Sequence, residues 1–190
     1  MTATPSTMLP LGTTMPAFRL PTATGEMVSS DVYNSRPLLV AFICHHCPFV
    51  RHIRREFARF TSEFQERGLA IVAINSNDSV AFPEDGPEGM QQESREAGYT
   101  FPYLFDETQE VAKLFRAACT PDLFLFDARG TLVYRGQFDD SRPRNAVPVT
   151  GAHIRAAATA VLSDTPVPAE QKPSIGCNIK WRRGNEPDYW

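Results

Sequence analysis

Two cysteines, Cys44 and Cys47, stand where an apolar segment meets a segment that begins with Pro48. The apolar segment, Leu38 to Ile43, predicts a buried strand, and the residues after Cys47 have the pattern of a helix. The reactive form of cysteine is the thiolate, and unpaired N–H groups at a helix start, together with nearby cations, lower the pKa of a thiol. The first hypothesis for this chain is therefore thiol redox chemistry.

The position of Pro48 bears on which of the two thiols reacts first. Proline suits the first turn of a helix because its missing N–H would be unpaired there, and this places Cys47 at the N-cap. The free N–H groups at that point would stabilise a thiolate, which favours Cys47 as the nucleophile and Cys44 as the resolving cysteine. His45 and His46 lie between the thiols and could support them with positive potential.

Composition narrows the classes of function. A chain of 190 residues with a formal charge of -3 predicts one domain, 1–190, with no nucleic-acid partner. No apolar run approaches the roughly 20 residues that span a bilayer, so no membrane partner is expected. The opening residues lack a secretory signal, which predicts a cytoplasmic protein. Its four cysteines are then expected to be catalytic or metal-binding, and no cofactor is predicted.

Hydrophobic periodicity predicts alternating strands and helices, with a core of about 15–162 and a tail, 163–190, that docks on it. Residues 1–16 are expected to be an extended lead-in without regular structure. The predicted strands are Ala17–Leu20, Leu38–Ile43, Leu69–Ile74, Phe101–Phe105, Leu123–Phe126 and Leu132–Arg135. The predicted helices are one from Pro48 to just before Gly68, then Pro87–Ala97, Thr108–Ala118 and Gly151–Leu162.

The order of strand, cysteine pair, long helix, strand, helix and the segment CTPDLFLF resembles the thioredoxin-like superfamily. The segment Met15–Tyr33 is similar to the start of its peroxiredoxin-like (AhpC/TSA, redoxin and TlpA/ResA-related) branch, which also inserts a helix and a strand where this chain has residues 76–106. The resemblance covers about 15–162. It implies an α/β fold with a central mixed sheet, helices on both faces and an N-terminal extension, and a cis-proline at Pro121, preceded by Thr120, beside the thiols.

The resemblance leaves two alignments of the cysteines open. Matched directly to the superfamily's Cys-x-x-Cys, Cys44 would attack; counted from the strand, Cys47 would. Either way it implies thiol-disulfide exchange: a protein or small-molecule disulfide as substrate, and a thioredoxin-type or low-molecular-weight thiol as reductant. Cys119 would lie near the pair in this fold, and Cys177 could approach it if the tail crosses the site, so both are candidate secondary redox residues.

Two other functions compete with disulfide exchange. A peroxiredoxin-like hydroperoxide reductase is the alternative, but the family's Pro-x-x-x-Thr-x-x-Cys signature is incomplete from either cysteine, and Arg116 is only a weak substitute for the peroxide-polarising arginine. A copper or zinc protein is the third reading, because Cys-His-His-Cys offers four ligands. The spacing counts against it, since adjacent histidines point apart, and no metal site is predicted.

Overall fold

The computed structural model describes residues 3–189. Its strands are β1 (Ala3–Pro5), β2 (Arg19–Pro21), β3 (Met27–Ser29), β4 (Leu38–Phe42), β5 (Ala70–Asn75), β6 (Tyr103–Phe105), β7 (Cys119–Thr120), β8 (Asp122–Phe126), β9 (Leu132–Gly136) and β10 (Ile175–Asn178). Its α-helices are α1 (Pro48–Glu66), α2 (Pro87–Ala97), α3 (Glu110–Leu114) and α4 (Ala152–Leu162), with short 3-10 helices at Ser30–Tyr33 and Pro83–Asp85.

Five strands form the central sheet, in the order β6-β5-β4-β8-β9. Strand β4 runs parallel to β5 and antiparallel to β8, with Phe42 opposite Asp122. Because β4 and β8 run in opposite directions, the carboxyl end of β4 lies beside the amino end of β8. This pairing places the cysteine tetrad, which follows Phe42, next to Pro121, which precedes Asp122.

The sheet separates two apolar cores, and β4 contributes to both. Leu39 and Ala41 belong to the core that holds the apolar faces of α1 and α4, whereas Val40 and Phe42 belong to the core that holds α3. This alternation follows from the two-residue period of a strand. The predicted α/β architecture, a mixed sheet with helices on both faces, is confirmed.

Helix α1 carries the tetrad at its amino end and follows its sequence pattern. Its buried residues recur at a spacing of three or four: Val50, Ile53, Phe57, Phe60, Thr61 and Phe64. Pro48 occupies the first turn, and Gly68 lies just past the end with a φ of 100°. A left-handed residue at this position is a common way to end a helix, and glycine adopts it without steric cost.

The predicted helix Thr108–Ala118 is too long, because α3 spans only Glu110–Leu114. Gln109 and Arg116 both have positive φ values, 66° and 49°, which bound the helix on either side. The side-chain amide of Gln109 donates to the carbonyls of Ser76 and Lys180 at 2.7 and 2.9 Å. These long-range contacts hold Gln109 outside the helix, against the local periodicity.

The N-terminal region also differs from its prediction. The extended lead-in expected over 1–16 contains β1, which pairs with β10, while Met1 and Thr2 lie outside the described residues. The strand expected at Ala17–Leu20 is displaced to Arg19–Pro21, where it forms a hairpin with β3. The displacement accompanies a hydrogen bond from the Phe18 N–H to the hydroxyl of Ser30 at 3.1 Å.

Within residues 3–189, no helix combines the length and the apolar character needed to cross a bilayer.

Truncation of Phe57 tests the packing that holds α1 on the sheet. Its ring is buried against Phe101 and Phe138, each at a centroid distance of 5.9 Å. We expect Phe57→Ala to lower the free energy of unfolding by about 3–5 kcal/mol in urea titration, since it leaves a cavity. Leu114→Ala, at a side chain 55% exposed, is the control and should cost no more than about 0.5 kcal/mol. Equal losses in the two variants would contradict the assigned core.

Candidate active site at the cysteine tetrad

Cys44 and Cys47 occupy the turn between β4 and α1. Cys47 is the N-cap of α1, with extended backbone angles, and its carbonyl accepts the Arg51 N–H at 2.9 Å. Pro48 is at the first helical position, as the sequence predicts. Both thiols are buried, each in a residue with 0% exposure. The site therefore lies beneath the surface of the folded chain.

Thr120 contacts both thiols from the neighbouring segment. Its hydroxyl lies 3.4 Å from Cys44 Sγ, and its carbonyl oxygen lies 3.1 Å from Cys47 Sγ, close enough to accept from the protonated thiol. The peptide bond between Thr120 and Pro121 is cis. The structure thus brings together the pair and the two supporting residues that the resemblance named.

A third cysteine reaches the site from the C-terminal tail. Strand β10 pairs antiparallel with β7, and Cys177 stands opposite Thr120. The thiol of Cys177 is hydrogen-bonded to that of Cys47. It too is buried, at 1% exposure. Three of the four cysteines therefore meet at one point, although they lie up to 133 positions apart in the sequence.

The fourth cysteine is close in sequence but faces elsewhere. Cys119 precedes Thr120 in β7, and successive side chains of a strand point to opposite faces. Its thiol lies 3.6 Å from the carbonyl oxygen of Pro121. Burial raises the pKa of this thiol well above its usual range, and the charge of Asp122 raises it further. These surroundings favour a protonated thiol at Cys119.

The pKa values of Cys44 and Cys47 are shifted in opposite directions. The pKa of Cys47 is lowered, first by the hydrogen bond from Cys177 and then by that from Cys44, with further support from the Val50 amide in the first turn of α1. Burial opposes this effect, and the Thr120 side chain adds to it. The pKa of Cys44 is raised well above its ordinary value, chiefly by burial. The pKa shifts of the two thiols therefore favour the charged form at Cys47 and the neutral form at Cys44.

His46 is held by a buried carboxylate that sequence reasoning missed. The imidazole Nδ1 and the backbone N–H of His46 both contact the carboxylate of Asp85, which is itself 0% exposed. The hydrogen bond with Asp85 raises the pKa of His46. The ring also stacks on Phe82, with centroids 5.6 Å apart and planes at 10°. Asp85 lies in the loop before α2, where no spacing or periodicity connects it to the tetrad.

The other basic side chains that the sequence suggests for the site, His45, Arg51, His52 and Arg116, are not among the main causes of the lowered pKa of Cys47. His45 lies between the two cysteines, but its Nδ1 is buried without a hydrogen-bond partner. Arg51 is exposed on α1, and His52 Nε2 contacts the Ser141 hydroxyl at 2.7 Å. Arg116 stacks over the ring of Tyr189 at 4.6 Å. None of these four accounts for the lowered pKa of Cys47, whose causes are uncharged donors.

A second buried carboxylate supports the strand that leads into the tetrad. The Tyr103 hydroxyl lies 3.2 Å from the carbonyl oxygen of Ile43 and 3.1 Å from the carboxylate of Glu93. Glu93 is also paired with Arg54 at 3.5 Å, and Arg54 donates to the carbonyl of His45 at 3.3 Å. Burial raises the pKa of Glu93 to about 7. This group fixes the backbone on both sides of Cys44.

Among residues 3–189, one set of side chains has the spacing of a metal site. Ligand atoms of Cys44, His46 and Asp85 all lie within 4.8 Å of one another. Thiolate, imidazole and carboxylate together are a ligand set that Zn²⁺ accepts. The set differs from the Cys-His-His-Cys tetrad considered from sequence, since it takes alternate residues of the tetrad and adds Asp85.

Comparison with known proteins places these residues in a family. The model of the AhpC/TSA family matches residues 11–135. None of the curated proteins is significantly similar to the chain in sequence.

Solved structures add close and distant relatives. An uncharacterized conserved protein from Geobacillus kaustophilus is 52% identical with a TM-score of 0.93, and the alignment covers 96% of this chain and 97% of that one. A hypothetical protein from Sinorhizobium meliloti is also 52% identical, with a TM-score of 0.92 and coverage of 95% and 100%. A thiol:disulfide interchange protein of the thioredoxin family from Chlorobium tepidum is 18% identical with a TM-score of 0.63, covering 80% and 97%. The last likeness concerns the fold alone and confirms it as thioredoxin-like.

The lowered pKa of Cys47 predicts a thiolate at neutral pH. We expect the reduced protein to show about one thiolate by absorbance at 240 nm at pH 7, where an ordinary thiol would be only about 1–3% ionised. Because the folded-state pKa is depressed, the contribution of this thiolate to stability is present above the ordinary pKa and is lost as the pH falls through the folded value. Cys47→Ser should remove the absorbance, and the control Cys119→Ser should keep it. Retention in Cys47→Ser would assign the thiolate to another residue.

Proposed function

The chain belongs to the AhpC/TSA family, and we propose that it is a thiol-disulfide oxidoreductase in which Cys47 attacks the substrate and Cys44 resolves the product. The observation that carries this proposal is the position of Cys47 at the N-cap of α1, where thiol donors lower its pKa beside a second thiol. Disulfide exchange needs a thiolate and a second thiol within reach, and the turn holds a thiol of lowered pKa beside a second thiol.

The first step uses the thiolate of Cys47. Its sulfur attacks one sulfur of a substrate disulfide, a new S–S bond forms, and the other substrate sulfur leaves as a thiolate that takes up a proton. Cys44, whose pKa is raised, stays protonated and does not compete for this attack. The inequality of the two thiols supports the alignment in which Cys47 occupies the nucleophile's position.

The second step requires Cys44 to lose its proton. A carboxylate oxygen of Asp85 and a ring nitrogen of His46 lie within 4.8 Å of Cys44 Sγ, and this pair can take up the proton. The Cys44 thiolate then attacks the Cys47 sulfur, the mixed disulfide breaks, and the second half of the substrate leaves as a thiol. The enzyme is left with a Cys44–Cys47 disulfide, which a thioredoxin-type or low-molecular-weight thiol would reduce in a reducing cytoplasm.

The burial of Cys47 limits how a substrate can reach its sulfur. With β10 in place, the pocket beside Pro121, lined in part by Phe49, His52 and Ile175, has a volume of about 20 Å³. Such a volume holds about one water molecule. A small-molecule disulfide therefore needs a local opening, and a protein disulfide needs the tail to move aside.

Hydroperoxide reduction is the second candidate, and membership of the AhpC/TSA family favours it. Hydrogen peroxide is smaller than a disulfide substrate and would need a smaller opening of the buried site. Two observations count against it: Cys44 stands where the family signature has threonine, and the Arg116 guanidinium lies against Tyr189 and not at the thiols. Metal binding by Cys44, His46 and Asp85 is the third candidate, and metal analysis of the reduced protein tests it directly.

Single substitutions distinguish the attacking thiol. We expect Cys47→Ser to reduce the rate of reaction with hydroxyethyl disulfide at pH 7 at least about 100-fold, since a thiol with a pKa above 9 is less than about 1% ionised. Cys44→Ser keeps a hydroxyl donor and should retain the first step, measured as release of the first equivalent of thiol. Cys119→Ser is the matched control. The assignment is wrong if Cys47→Ser reacts at the wild-type rate while Cys44→Ser does not.

A further inference from the structure

The tail strand β10 brings Cys177 to the reacting sulfur in a fixed register. Cys177 stands opposite Thr120 in β7 and opposite Ala3 in β1, so its backbone is held from both sides. Directly opposed residues of an antiparallel pair have their side chains on the same face, with Cβ atoms about 4.5–5.5 Å apart. The Thr120 side chain points to Cys44, and the Cys177 side chain therefore enters the site from the same face.

Two features fix the approach of this strand. Gly176 passes so near to β7 that a Cβ there would lie 2.0 Å from the carbonyl oxygen of Thr120, which leaves no room for a side chain. On either side of the glycine and the cysteine the tail is anchored: the Ser174 hydroxyl donates to the carbonyl of Gly136 at 2.6 Å, and the Lys180 N–H donates to Asn77 Oδ1 at 2.8 Å. The position of Cys177 is thus set by several independent contacts.

The contact between Cys177 and Cys47 joins the tail to the thiol whose pKa is lowered. This hydrogen bond is the largest single cause of the lowered pKa of Cys47, and it raises the pKa of Cys177 in turn. Cys44, Cys47 and Cys177 also belong to one buried cluster. A thiol in contact with a sulfur is near enough to attack it once that sulfur is oxidised, provided that the chain can align the two with the bond that breaks. Cys44 and Cys177 therefore contact Cys47 from two different segments of the chain.

We propose that Cys177 is a third redox-active thiol, which forms a disulfide with Cys47 as an alternative to Cys44. The proposal rests on the function proposed above, in which Cys47 attacks first. In the step proposed here, the Cys177 thiolate attacks the Cys47 sulfur of the mixed disulfide or of the Cys44–Cys47 disulfide. A Cys47–Cys177 bond forms, the former bond breaks, and the displaced sulfur leaves with the electron pair and accepts the proton that Cys177 lost. The substrate disulfide is the only oxidant that the step needs.

This disulfide has a structural consequence. A Cys47–Cys177 bond ties β10 covalently to the start of α1, over the edge of β7 beside Pro121. The oxidised enzyme would then hold its tail closed, and the reduced enzyme would keep it only by noncovalent contacts.

The test uses the variant Cys44→Ser, which removes the other resolving thiol. After reaction with glutathione disulfide, we expect the mixed disulfide at Cys47 to give way to a Cys47–Cys177 disulfide, identified by mass spectrometry of nonreduced peptides. In Cys44→Ser/Cys177→Ser the mixed disulfide should persist at least about tenfold longer, because an intramolecular thiol acts at an effective concentration of millimolar or more. Cys44→Ser/Cys119→Ser is the matched control and should behave as Cys44→Ser does.

A second variant tests the register without removing the thiol. Gly176→Ala in the Cys44→Ser background keeps Cys177 but displaces β10, and it should slow formation of the Cys47–Cys177 disulfide by about tenfold or more. Circular dichroism and urea unfolding establish that each variant is folded before it is used.

The outcomes separate the two proposals. A persistent mixed disulfide at Cys47 in Cys44→Ser, with Cys177 still a thiol, overturns the role of Cys177 and leaves the proposed function intact. Cys47 unreacted in every variant overturns the proposed function itself. If Gly176→Ala does not change the rate of Cys47–Cys177 disulfide formation, this also counts against the role of Cys177, since the proposal depends on the position of β10 against β7.

Discussion

Thr120 connects the three thiols of the site, because its hydroxyl contacts Cys44, its carbonyl contacts Cys47 and its backbone pairs with the strand that carries Cys177. Its position is set by the antiparallel pairing of β4 with β8, which brings the residues before Asp122 beside the end of β4. A change in that register by one residue would turn every side chain of the strand to the other face. The chemistry of the site therefore depends on the register of the central sheet.

The surroundings of Cys47 lower the pKa of a buried thiol. Burial alone raises the pKa of a thiol, as it does at Cys44 and Cys119. At Cys47 hydrogen-bond donors reverse this effect, and two of the donors are themselves thiols. The two thiols that lower the pKa of Cys47, Cys44 and Cys177, are thus also the two candidates to resolve a disulfide at Cys47. The tail thus contributes both to the burial of the site and, through Cys177, to the lowered pKa of Cys47.

Much of this arrangement could be predicted from the sequence, because its signals are local. The periodicity of α1 and Pro48 in its first turn predict Cys47 at the N-cap, and the continuous apolar runs predict the buried strands β4, β5 and β8. Long-range contacts were harder to predict. The pairing of β1, β10 and β7 joins short segments far apart in the chain, and Gln109 is drawn out of a predicted helix by carbonyls from the loop after β5 and from the tail.

The residues of the site also divide into those with a local sequence signal and those brought in by long-range contacts. Cys44, Cys47, Thr120 and Pro121 were predicted together because motif and fold order mark them, and Cys177 only as a secondary redox candidate. Asp85, which holds His46, could not be predicted, because it ends the short 3-10 helix between β5 and α2, which no periodicity or motif connects to the tetrad. Arg51 and His52 are basic residues close to the thiols in sequence, but Arg51 is exposed and His52 contacts Ser141, so proximity in sequence does not mark them as part of the site.

The central claim is that Cys47 is the shared partner in the disulfides of this enzyme. Equilibration of the wild-type protein in graded glutathione redox buffers, followed by acid quenching and mapping of nonreduced peptides, tests it directly. The account predicts that each intramolecular disulfide contains Cys47, joined either to Cys44 or to Cys177. A predominant disulfide between Cys44 and Cys177, or one that contains Cys119, with Cys47 left as a thiol, would contradict it.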